Sequence, residues 1–98
     1  MIMKYPFKEK KVHEDSKSEV VLRVFCDDSQ EDEFQWHWDE QERIVYPLHE
    51  TDWLFQYDNY LPQHFEIGNG LKIQKGQWHR IIRGKGDLNL IIVKKKDI

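Results

Sequence analysis

The sequence predicts an all-β protein, a sandwich or barrel with no long helix. Short apolar runs separated by Gly, Asp, Asn and charge clusters recur about every ten residues, the spacing of packed antiparallel strands rather than of βαβ units. The one stretch with a rival helical reading, 35–50, carries Pro47 and a β-branched and aromatic bias, both unfavourable inside a helix. Ninety-eight residues make one domain. A chain of this size buries roughly 65% of its unfolded surface, enough for one modest core.

Taken in order, residues 1–17 form a polar N-terminal segment able to pair at a barrel or dimer edge, and within it KEKKVHEDSKS (8–18) reads as a solvated loop. EVVLRVFC (19–26) is the first strand, and the acidic DDSQEDE (27–33) is a second loop. Strands follow at 33–39, 42–48, 52–58, 62–67, 70–75, 77–83 and 87–94, each bounded by turn-forming residues.

Charged residues are 34% of the chain and nearly balanced, for a net charge of −3, which argues against nucleic-acid binding and against an anionic membrane surface. Lys94, Lys95 and Lys96 read as a solubilising strand end. Cys26 is the only cysteine, so it has no intramolecular disulfide partner, and its place in an apolar run suggests a buried thiol in a reducing compartment. The longest aliphatic run, LIIV at 90–93, is too short to span a membrane, so a cytoplasmic location is expected.

Alternation assigns the faces. In 33–39 it sets Trp36 and Trp38 against Gln35, His37 and Asp39, and the tryptophan face should pack on another sheet or on a second copy in a homodimer. In 42–48, Glu42 shares a face with Ile44, Tyr46 and Leu48, and in 77–83 His79 shares one with Gln77, Ile81 and Arg83. Arg43 and Arg80 then point away from the interior. His37, Asp39, Glu42 and His79 would converge at one level of an apolar barrel, the usual composition of a metal or ligand pocket. Strand 52–58 offers either Trp53, Phe55 and Tyr57 or Leu54, Gln56 and Asp58 to that interior. Gln56 or Tyr57, with Tyr46 and Ile81, would line the pocket. His13, His49 and His64 read as surface or loop histidines.

GNGLKIQKGQWH (68–79) resembles the second motif of the cupin family: a Gly-Asp pair, three residues, Ile or Val, Pro, any residue, Gly, two residues and His. Gly68, Ile73, Gly76 and His79 fall in register, with Asn69 and Gln74 standing where the motif has Asp and Pro. Gly68 and Gly76 sit where a turn requires positive φ. His37-Trp38-Asp39 followed by Glu42 is similar to the first motif, His-x-His and then Glu, with an acid in place of the second His and no closing Gly at 49–51.

The resemblance implies a cupin-type jelly roll, or double-stranded β-helix barrel, over residues 1–98. It also implies a metal set of His37, Asp39, Glu42 and His79. Two imidazoles with carboxylates suit a divalent ion such as Fe, Mn, Ni or Zn. Two readings of the pocket follow. One is a metal-dependent enzyme acting on a small polar molecule. The other is a non-catalytic metabolite-binding or protein-interaction module on the same barrel.

Overall fold

In a computed structural model of the chain, residues 7–26 and 35–96 are described. The loop expected at 27–33 and the start of the strand expected at 33–39 lie outside them. Among the described residues there are eight strands: β1 (Phe7–Glu14), β2 (Ser18–Phe25), β3 (Arg43–Pro47), β4 (Leu54–Tyr57), β5 (Gln63–His64), β6 (Leu71–Ile73), β7 (His79–Ile82) and β8 (Leu88–Lys95). They form a five-stranded sheet in the order β1-β2-β8-β3-β6 and a three-stranded sheet in the order β5-β4-β7, antiparallel throughout. No helix among the described residues is long and apolar enough to cross a membrane.

The core lies between the sheets. Val21, Phe25, Leu88, Leu90 and Ile92 reach it from β2 and β8, and Phe55 and Ile81 meet them from β4 and β7. Trp53, just before β4, is fully buried, its ring centroid 6.1 Å from that of Phe25. Its indole N–H is shared between the carbonyls of Lys85 (3.3 Å) and Gly86 (3.2 Å), so the one polar atom of this side chain is satisfied.

Three expectations need correction. Residues 8–18, read as a solvated loop, are mostly β1, which pairs with β2 from Phe7↔Phe25 to Glu14↔Glu19 with an irregularity between Lys11 and His13. An edge strand covered on neither face needs no apolar alternation, and its cross-strand ion pairs replace it: Glu9 with Arg23 (3.2 Å) and Lys94 (3.1 Å), Glu14 with Lys96 (2.9 Å).

Residues 35–39, expected as the end of a strand, pair through a single bridge, His37↔His79, closed by His37 N–H to His79 O (3.0 Å) and His79 N–H to His37 O (2.9 Å). The third correction concerns β3, which faces the other way from the expected parity. Arg43, Val45 and Pro47 are buried, whereas Leu48, on the expected interior face, is exposed. One inversion carries every side chain of a strand to the opposite face, so it moves Glu42 and Tyr46 outward and Arg43 inward together.

Candidate metal centre

The turn before β7 sets the site. Gly76 adopts φ 76°, and the turn closes with Gln77 N–H to Gln74 O (3.0 Å). The Gly76 N–H donates to Asp39 O (2.9 Å), while the bridge holds His37 against His79. A left-handed glycine therefore clamps Asp39 and releases His79 inward on the first residue of its strand. Gly68 has φ 79°, so both expected turn glycines occupy the left-handed region.

His37, Asp39 and His79 come together, one ligand atom from each lying within 4.8 Å of the others. His79 is almost fully buried, and its ring stacks on Phe55 at 5.7 Å and 20°. The two imidazoles meet edge to face at 4.3 Å. His37 Nδ1 lies 2.9 Å from Gln35 O, and His79 Nδ1 lies 2.8 Å from Gln77 O. A carbonyl oxygen only accepts, so each Nδ1 carries a proton and donates it, and Nε2 is the nitrogen left to offer a lone pair or to take a second proton.

Asp39 Oδ2 stands 3.2 Å from His79 Nε2 and 3.4 Å from Arg43 Nε. Both are ion-pair distances, yet this buried oxygen has no contact of hydrogen-bond geometry. Burial pushes the Asp39 carboxyl up, but His79, Arg43 and His37 together outweigh it and hold the group below the usual carboxylate range.

The group lines a cavity of about 30 Å³ that Arg23 and Arg43 also line, with Val45, Ile81 and Leu90 among its apolar walls. At roughly 10–15 Å³ for a water-sized group, this space admits about two such groups rather than a whole metabolite.

The other expected site residues lie elsewhere. Glu42 is bound by Lys95 (2.8 Å) and Lys72 (3.0 Å), which hold its carboxyl below the usual range, and it does not reach the histidines. Tyr46 packs on the outer face, where a Cβ on Gly70 would stand 2.7 Å from its ring. Gln56 accepts from Arg80 Nε (2.8 Å) and donates to Tyr60 O (2.9 Å). The aromatic set of β4 is the inward one, although the Tyr57 hydroxyl donates to Lys72 O (2.6 Å) instead of reaching the cavity. Ile81 lines the cavity as expected.

Arg80 points outward and lies over Trp36 at 4.8 Å, as its strand parity requires. Trp36 and Trp38 are 40% and 47% exposed. Sequence reasoning missed Arg23 and turned Arg43 outward. Both sit in otherwise apolar strands, and a lone arginine within such a run was the available signal.

The sequence matches no protein-family profile and no curated protein. Solved structures do match it. KdgF from Halomonas sp. superposes with a TM-score of 0.76 at 12% identity, over 100% of this chain and 87% of that one. A cupin domain from Bordetella pertussis Tohama I gives 0.68 at 15%, over 97% and 99%. The DMSP lyase DddQ from Ruegeria pomeroyi DSS-3 gives 0.71 at 11%, over 95% of this chain and 48% of that chain. Likeness at such identities is likeness of architecture, and with two facing antiparallel sheets, a glycine turn and a histidine pair in the barrel, this chain has the cupin fold.

Proposed function

We propose that the protein is a metal-binding cupin in which His37, Asp39 and His79 hold a divalent cation and offer it to the polar end of a small molecule that reaches into the cavity. One observation carries this reading. His79 Nε2 and Asp39 Oδ2 are 3.2 Å apart in a buried position, and with Nδ1 committed to the Gln77 carbonyl each of the two atoms can present a lone pair to the same ion. Two acceptors so placed repel unless a proton or a cation lies between them. The separation also matches the edge of a metal's coordination shell, about 3.0–3.4 Å for ligands at about 2.1 Å.

Two imidazoles and one carboxylate leave further positions open, a set compatible with Fe, Mn, Ni or Zn. A bound ion would act there as a Lewis acid toward an oxygen of the incoming molecule. The chain's own residues do the rest. The Gln35 and Gln77 carbonyls fix both tautomers, Phe55 fixes the plane of His79, and Arg43 orients Asp39. Glu42, held by two lysines, has no part in the set.

A second reading, a polar binding pocket without an ion, draws support from Arg43, whose guanidinium approaches the same Asp39 oxygen and supplies positive charge of its own. Elemental analysis separates the two. Protein purified without chelator should carry about one divalent ion per chain, and a His37→Ala, His79→Ala variant that still folds should carry none. Wild-type protein that neither retains an ion nor takes one up on titration supports the second reading.

A further inference from the structure

The cavity's walls hold more donors than its metal set uses. Arg23 reaches it from β2, where Val21, Arg23 and Phe25 share the inward face. Its guanidinium is fixed from two sides: Nη2 donates to Glu9 (3.2 Å to Oε2), and the Phe7 ring lies 3.9 Å from the guanidinium carbon. These contacts leave out Nε. That N–H is buried and has no hydrogen-bond acceptor among the described residues. A buried donor without an acceptor has given up its hydrogen bond to water for nothing, so such positions are filled by water or by a ligand. Among the described residues Asp39 is the one carboxylate lining the cavity, and its buried oxygen faces His79 and Arg43.

We propose that the cavity binds the carboxylate head of a small organic acid, with Arg23 Nε–H as its donor and Arg43 beside it, next to the His37, Asp39 and His79 group. The proposal deepens the metal reading and rests on it for the position where the acid meets the ion. The guanidiniums are in place with or without a cation.

Three features select this class. Two arginines favour an anion. A buried N–H without an acceptor calls for one, and on a guanidinium an ionised carboxylate supplies a charge-assisted bond stronger than a neutral amide or alcohol gives. The volume of about 30 Å³ admits a flat group of a few atoms more readily than a tetrahedral sulfate or phosphate, so only the head of a longer acid enters.

Acetate is the probe. Titrated into ¹⁵N-labelled wild-type protein at constant ionic strength, it should shift the Arg23 Nε–H resonance saturably, with sulfate producing no saturable shift. The titration is run on zinc-loaded and on chelator-treated protein, and metal uptake is measured separately. Failure to take up zinc, iron, manganese or nickel would remove the metal reading while the acetate titration still decides this one. Arg23→Gln should weaken acetate binding at least about tenfold, and Arg23→Lys, which keeps the charge without the planar fork, should fall between. If Arg23→Gln does not fold, the wild-type resonance decides alone. An Arg23 signal indifferent to acetate, equal binding by Arg23→Gln, or saturable sulfate binding of the same strength overturns the proposal.

Discussion

The Tyr57 hydroxyl donates a 2.6 Å hydrogen bond to the Lys72 carbonyl and so ties β4 of the small sheet to β6 of the large one. Across β4 and β7, Tyr57 lies opposite His79, which puts this clasp beside the histidine pair without entering it. Tyr57→Phe keeps the ring and loses the bond. We expect a loss of about 1 kcal/mol in urea unfolding and an unchanged metal content. Burial raises the Tyr57 phenol above its usual 10.0. A raised acid pKa contributes stability that is fully present below the unfolded value and disappears as pH climbs through the folded one. Wild type should therefore weaken above about pH 10, and the Phe variant should lack that component of the decline.

Asp39 and Glu42 make opposite predictions from similar chemistry. Asp39→Asn removes the anionic ligand of the proposed centre and should weaken metal binding by more than the ~10–100-fold typical of outer-shell changes. Glu42→Gln breaks only contacts with Lys72 and Lys95, whose side chains are 58% exposed, and should leave metal affinity within about twofold. Calorimetric titration with zinc reads both. Equal losses in the two variants would return Glu42 to the ligand set.

What the sequence revealed of this fold depended on which strands have a buried face. β2, β4, β7 and β8 alternate around a core, and their positions were legible to within a few residues. β1 was not, because a strand at a sheet edge with charged side chains carries the same composition as a loop. Its evidence lies in Glu9, whose partners Arg23 and Lys94 are on β2 and β8, and in the Glu14–Lys96 pair, none of them visible to a local pattern. The site followed the same division. His37, Asp39 and His79 were placed on inward faces by alternation and meet in space. Glu42 was misplaced because Ile44, Tyr46 and Leu48 make as good an apolar face as Val45 and Pro47, and alternation separates two faces without saying which one the core takes. The spacing of GNGLKIQKGQWH kept its glycine turn and histidine without the motif's Asp and Pro, so those two residues are not what positions His79.

Two glycines should fail for different reasons. A Cβ on Gly76 meets no atom within 4 Å, but its φ of 76° is left-handed, so Gly76→Ala should cost about 1 kcal/mol and Gly76→Asn less. Gly84 has no positive φ to protect; a Cβ there would stand 2.5 Å from the Trp53 nitrogen and 2.8 Å from the Asp52 carbonyl carbon, and closer still to the Asp52 side chain. Backbone cannot yield as a flexible side chain does, so Gly84→Ala should cost about 2–3 kcal/mol, with Asn no better. Urea midpoints of the four variants check the contrast, and rescue of Gly84 by Asn would refute the steric account.

The hairpin joining β1 to β2 should respond to acid in a defined window. Asp15 Oδ1 accepts the N–H groups of Lys17 and Ser18, both at 2.8 Å, and the Asp15 N–H donates to Ser18 O at 2.9 Å. The backbone bond from Lys17, with that from Ser18 and the nearby His13, lowers the Asp15 carboxyl from 3.8 to about 2. A lowered carboxyl pKa contributes stability above the unfolded value and loses it as pH falls through the folded one. The window therefore runs from 3.8 down to about 2. Asp15→Ala removes the acceptor, so its urea midpoint should lie below wild type at pH 6, and the gap should narrow as both proteins are taken through that window. A carbon-detected NMR titration of Asp15 should show its midpoint near the lower end, and a midpoint at the ordinary carboxylate value would mean that the turn's two N–H bonds do not persist in solution.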